Sequence, residues 1–239
     1  MDDTILMGPD AKELDNMVIL LKKTFQISDE GALTDYLGIK IDHQHNGTFR
    51  LTQPQLINSI LEDLHLTDPC KRLYLPYLIT KILDKDSEGA PFDDHFDYQL
   101  VIGMLLYLEK SMRPELAYAV HQCAQFCTNP KSHMGRKSRR LVSTVSQPET
   151  KVQSCIQLKK GLSVGLMHCT PENGTVQMPC WMQQLRAGYL ITYAGCPVLW
   201  ASKLQTKIAL SSTKSKYIAL SKALQEITPL ITKINEAKQ

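Results

Sequence analysis

Four groups of residues in this 239-residue chain have the types and spacing to do chemistry. Asp2 and Asp3 are adjacent carboxylates that lead an apolar run, Thr4-Ile5-Leu6-Met7, and then Gly8-Pro9. Carboxylate oxygens are the hard ligands that a cation such as Mg²⁺ takes. Taken alone, two neighbouring carboxylates at a chain end are an ordinary solvated terminus. His121, Cys123, Cys127 and His133 are zinc-ligand types, but Cys123 and Cys127 stand four apart on a predicted helix, a spacing that puts two small apolar residues into a core. Ser211-Ser212-Thr213-Lys214 matches the Ser-x-x-Lys spacing of acyl-transfer enzymes and lacks the partner motifs, which makes it a chance match. Arg136-Lys137-Ser138-Arg139-Arg140 is a dense basic run that reads either as a solvated face or as a contact for phosphates.

The elements that must position these groups are readable from period and punctuation. Leu14, Met17, Val18, Leu21 and Phe25 recur at helical steps behind Pro9 or Asp10 and predict an amphipathic helix. Tyr36, Leu37, Ile39 and Ile41, then Asn46-Gly47, then Phe49 and Leu51 predict two antiparallel strands. Pro54 opens a second helix with Leu56, Ile57, Ile60, Leu61 and Leu64 on its buried side, ending near His65. Residues 67–94 carry Pro69, Pro76, Gly89 and Pro91 with no sustained period and read as a long connection. Two helical stretches, Leu100 to Leu108 and Glu115 to Phe126, flank Arg113-Pro114 and are expected to pack as a hairpin. Tyr189–Tyr193, Pro197–Trp200 and Ile208–Leu210 predict a three-stranded meander, closed by a helix over Ser212–Leu224 with Tyr217, Ile218, Leu220 and Leu224 on one face.

Composition narrows the class. With 43% hydrophobic residues and ordinary Gly and Pro frequencies, the chain has apolar material for a core and is not a disordered or fibrous protein. No apolar run reaches the length of a membrane-spanning helix, and the acidic N-terminus does not resemble a signal peptide, so a cytoplasmic or nuclear location with no membrane partner is expected. Seven scattered cysteines are expected to be free thiols. The net charge of +3 conceals a polarity: residues 1–98 carry 9 Lys and Arg against 18 Asp and Glu, and residues 99–239 carry 18 against 6. The C-terminal part therefore favours polyanions. All fourteen aspartates lie at or before Asp97.

Five blocks, taken together, resemble the end of a copia-type retrotransposon Pol polyprotein. The first four are Asp2 to Gly8, Leu37-Gly38-Ile39-Lys40-Ile41 with Leu51-Thr52-Gln53, Ile102 to Leu108, and Arg113-Pro114-Glu115-Leu116-Ala117-Tyr118-Ala119-Val120. The fifth runs from Gly188-Tyr189 through Trp200-Ala201-Ser202-Lys203 to Ala209-Leu210-Ser211-Ser212-Thr213. The resemblance implies an α+β chain: the last reverse-transcriptase palm hairpins and the thumb start over residues 1–66, a thumb-like or connection-like helical segment over 67–130, a basic, poorly defined linker over 131–185, and an incomplete ribonuclease H-like α/β unit over 186–239.

In that family Asp2 and Asp3 correspond to the acidic pair of a Tyr-x-Asp-Asp turn that binds two Mg²⁺ with a third aspartate from an upstream strand. Here the resemblance reaches only this vestigial pair, because the reading frame is expected to begin inside the motif. Leu37-Gly38 corresponds to the start of the primer-grip hairpin, with Gly38 and Lys40 against the primer backbone, and Arg136, Lys137, Arg139 and Arg140 are the further candidate nucleic-acid contacts. In the ribonuclease H module the family's Ser-Ser-Thr-Glu-x-Glu-Tyr run becomes Ser211-Ser212-Thr213-Lys214-Ser215-Lys216-Tyr217, so lysines stand at both glutamate positions. The resemblance thus implies an inactive remnant of an RNA-directed DNA polymerase and ribonuclease H, with no cofactor of its own where the intact family uses Mg²⁺. The alternatives are a co-opted module with weak, salt-dependent affinity for DNA or RNA, and a scaffold for an unidentified host protein.

Overall fold

The computed structural model describes residues 4–6, 8, 10–45, 49–66, 90–92, 95–145, 162–168, 186–193, 196–204 and 212–236. Asp2, Asp3, Asn46-Gly47, residues 67–89, the expected strand Ile208–Leu210, and Ser211 lie outside these residues, as does the side chain of Lys137. The described elements are helices and two small antiparallel sheets, an α+β arrangement.

The first helix, α1, spans Ala11–Thr24 and starts where Asp10 accepts the backbone N–H of Lys12 at 2.8 Å. None of its residues is buried. The first sheet follows: β1 (Asp35–Tyr36), β2 (Ile39–His43) and β3 (Phe49–Thr52), in that spatial order. The stretch expected as one strand from Tyr36 to Ile41 is instead broken by a tight turn. Tyr36 pairs with Ile39, and the two intervening residues, Leu37 and Gly38, have φ of +50° and +75°. Two consecutive left-handed residues make a turn whose twist matches its flanking strands, and a leucine there defeats sequence patterning. Thr4, Ile5 and Leu6, of the apolar run, pair with no strand among the described residues.

Helix α2, Pro54–Asp63, begins on proline as expected and ends in a two-bond left-handed cap. His65, at φ +54°, donates its N–H to the carbonyl of Glu62, and Leu66 donates to that of Leu61 at 2.8 Å. Both leucines are buried, which supplies the apolar contact that accompanies this motif. A glycine would occupy the left-handed position without the Cβ penalty. His65→Gly is therefore expected to stabilise the chain by about 1 kcal/mol, seen as a higher urea midpoint at unchanged slope.

Helix α3 (Tyr98–Met112) is capped by Asp97, which accepts the N–H groups of Gln99 and Leu100. A 3₁₀ turn, Pro114–Leu116, leads into α4 (Ala117–Ala124), which packs back on α3 as the expected hairpin. Cys127 falls beyond the end of α4 rather than on the predicted helix. Helix α5, Ser132–Val145, lies inside the stretch read as an irregular basic linker. Its inward residues, Met134, Ser138, Leu141 and Val142, keep a helical period, but a serine and a run of charges between them hide it. Side chains of α2, α3, α4 and α5 share one core with Phe96.

The second sheet has the order β4 (Leu162–His168), β5 (Arg186–Tyr193) and β6 (Cys196–Leu204), all antiparallel. A meander is present, but its third described strand precedes the expected pair and also lies within the segment read as linker. Helix α6, Ser212–Glu236, packs on β5 through Ala219, Ala223 and Ile227. Of the residues read at helical spacing, Ile218 and Leu220 are half-buried, whereas Tyr217 and Leu224 are 68% and 52% exposed. Small residues let the helix approach the sheet closely and carry little hydropathy signal.

Candidate nucleic-acid interface

The candidate contacts sit on the first hairpin and helix α5, and the two lysines at the former glutamate positions on α6. On the first hairpin, Gly38 occupies the left-handed turn position beside Leu37, whose carbonyl accepts the Tyr107 hydroxyl of α3 at 2.6 Å. A non-glycine residue held in this region stores strain, and the hydrogen bond helps to hold it. Lys40 faces solvent and pairs with Asp42 at 3.6 Å, a contact that water screens.

Helix α5 divides the basic run. With Met134, Ser138, Leu141 and Val142 turned inward, Arg136 and Arg140 are exposed one turn apart on the outer side. Arg139 is half-buried, and its guanidinium lies 5.3 Å from the centre of the Phe96 ring, a cation–π contact within the helical unit. Arg139 thus has a packing role, which spacing alone does not disclose. No carboxylate occurs anywhere in α5.

At the start of α6, Lys214 and Lys216 are exposed, and the first turn of the helix holds no acidic residue. Cations at a helix N-terminus oppose the helix dipole, whereas anions or metal-binding carboxylates would sit there favourably. Strand β4, immediately before β5 in the order of described strands, reads Leu-Ser-Val-Gly-Leu-Met-His and contains no carboxylate. Among the described residues no three His, Cys, Asp or Glu side chains converge as a metal site. Of the zinc-ligand types, Cys123 is buried and its carbonyl accepts the Tyr98 hydroxyl at 3.0 Å, while Cys127 is half-buried.

A second polar cluster is absent from the sequence reading. Glu109 lies on the buried side of α3 among Leu105, Leu108 and Met112, and its Oε2 is 3.8 Å from Nε2 of His121 on α4. Burial pushes its carboxyl up to about 7, against the lowering influence of the Trp200 indole and the Lys110 ammonium. Its signal in the sequence is a carboxylate at a core position of an otherwise apolar helical stripe.

Residues 1–79 match the family model described as Reverse transcriptase (RNA-dependent DNA polymerase). Over 229 residues the chain is 25% identical to a putative transposon Ty5-1 protein of Saccharomyces cerevisiae, covering 95% of this chain and 72% of that protein. It is 26% identical over 237 residues to an uncharacterized mitochondrial protein of Arabidopsis thaliana, covering 95% and 91%. It is also 26% identical over 238 residues to the retrovirus-related Pol polyprotein from transposon RE1 of Arabidopsis thaliana, covering 98% of this chain and 16% of the polyprotein. No solved structure matches. These similarities define a protein related to retrotransposon reverse transcriptases. Over most of its length the chain is thus similar to copia-type Pol polyproteins and transposon proteins, at about 26% identity.

Proposed function

We propose that the chain is a remnant of a copia-type reverse transcriptase and ribonuclease H in which cleavage of RNA–DNA hybrids has been lost. In this reading β1–β3 are the palm-end and primer-grip-like hairpins, α2–α5 the thumb-like and connection-like helices, and β4–β6 with α6 a partial ribonuclease H-like unit. The observation that carries it is the charge at the last unit: β4 has no carboxylate, and α6 opens with Lys214 and Lys216 where the family has glutamates. Exchanging a carboxylate for an ammonium changes the local charge by about two units and repels Mg²⁺. The vestigial pair, Asp2 and Asp3, remains the only part of the polymerase site that the resemblance reaches.

A second reading, retained affinity for nucleic acid, is favoured by the outward Arg136 and Arg140 and the absence of acidic residues in α5. Phosphate contacts of this kind are non-specific and release counterions, so affinity falls steeply with salt. The test is binding to a fluorescent RNA–DNA hybrid across a salt series with Mg²⁺ present, with cleavage followed on a gel. The expected result is binding that weakens with salt, falls by about tenfold when Arg136 and Arg140 are both replaced by glutamate, and leaves the hybrid intact. Restoring glutamate at positions 214 and 216 should still yield no cleavage, because β4 supplies no partner carboxylate. Mg²⁺-dependent cleavage by clean wild-type protein overturns the first reading, and salt-insensitive binding overturns the second.

A further inference from the structure

The sheet unit meets the helical unit through one side of β6. Alternation along that strand turns Leu199 and Ala201 toward the α6 core and sends Trp200 to the other side. There β6 packs against α4 and the 3₁₀ turn. The Trp200 indole N–H donates to the backbone carbonyl of Glu109 at 3.1 Å, 91 residues away in the chain. That carbonyl already accepts the N–H of Arg113 at 3.2 Å, so both of its lone pairs are used. One residue of α3 therefore carries both the acceptor for β6 and a carboxyl that is only 5% exposed.

We propose that Glu109, His121 and Trp200 form a proton-controlled latch between the helical unit and the β4–β6 sheet, closed when the Glu109 carboxyl is protonated and loosened when it ionises. A neutral carboxyl is tolerated in this joint. An ionised one is favoured by the Trp200 indole and the Lys110 ammonium, but these do not offset its burial, and water relieves that burial when β6 moves away. The charged and titratable surroundings leave few other ways to compensate it. Lys110, on the same helix, is exposed; Arg113 at the helix end is paired with Glu115; α4 contributes His121, with Tyr118 and Cys123 also on that helix. On β6, Lys203 shares the alternation of Leu199 and Ala201 rather than that of Trp200, and Cys196 lies four residues away at the strand's start. The upward push on Glu109, to about 7, puts the change close to neutral pH. This latch goes beyond the proposed function and does not depend on it.

The sequence has two tryptophans, Trp181 and Trp200, so Trp181→Phe in the full chain leaves Trp200 as the single emitter. Emission and far-UV circular dichroism are to be followed together between about pH 5 and 9, the range in which a group of this kind titrates. The expected result is one red-shifting step with its midpoint near 7 and an unchanged helical signal. Glu109→Gln should abolish the step and keep the emission of the closed state throughout, and Glu109→Leu serves the same purpose if the amide variant does not fold. His121→Asn should move the midpoint without removing the step. The proposal is overturned by the absence of any step, by the same step in the folded Glu109 variants, or by a step that coincides with loss of the helical signal.

Discussion

Replacing Leu105 with alanine is expected to lower the stability of the chain by about 3 kcal/mol, the cost of deleting a fully enclosed leucine side chain and leaving part of its space unfilled. Leu105 has no exposed surface and lies at the middle of α3, the helix that α2 and α4 both pack against. Its neighbours in the buried stripe, Val101, Ile102 and Leu108, are enclosed to nearly the same degree, which leaves little freedom for the site to collapse around a smaller residue. Leu100 belongs to the same helix but is 53% exposed, so Leu100→Ala removes the same atoms with an expected cost below about 0.5 kcal/mol. Urea titration of both variants measures the difference. Equal losses would mean that α3 is not the centre of the helical core.

Stability is also expected to decline as pH rises from about 4.5 to about 7. The carboxyl of Glu109 is held near 7 in the folded chain, chiefly by burial, against an ordinary value of 4.5. Between those values the folded state keeps a proton that the unfolded state has released. Stability therefore falls with increasing pH across that window and levels off above it. The loss is on the order of 3 kcal/mol, the linkage of a carboxyl held at about 7 in the folded chain against an ordinary 4.5. Glu109→Gln cannot ionise and should flatten this segment of the stability profile. Urea midpoints at several pH values for both proteins check it. A variant profile as steep as that of the wild type would assign the slope to other groups.

Some local signals in the sequence survive folding and others are overridden by distant contacts. Asp10, Pro54 and Asp97 mark helix starts because each satisfies or lacks an N–H at a position where the helix itself cannot help. Leu37 misleads for the opposite reason: an apolar, strand-like residue sits in a left-handed turn, supported by Tyr107 from a helix 70 residues away. No local pattern encodes that support. Helix α5 is obscured by the charges that make it interesting, and the buried side of α6 by the smallness of Ala219 and Ala223. The candidate interface is partly readable in the same sense. The run from Arg136 to Arg140 is conspicuous, but its division into outward Arg136 and Arg140 and a Phe96-stacked Arg139 requires the position of a distant aromatic ring. Glu109 is the clearest omission, since its partners come from α4 and from a strand 91 residues further on.

The tie between Tyr107 and Leu37 has a kinetic consequence. The hairpin strands β1–β3 are exposed or half-buried throughout, and this bond closes a 70-residue loop between them and α3. Contacts across such a separation form late, after the entropy of closing the loop has been met by the helices. Once the phenol lets go, the hairpin has few buried contacts to keep it in place, so it can open while α2–α5 remain folded. Amide protons of β2 and β3 would then exchange through a smaller opening than those of α3, making the hairpin a separate cooperative unit within the folded chain.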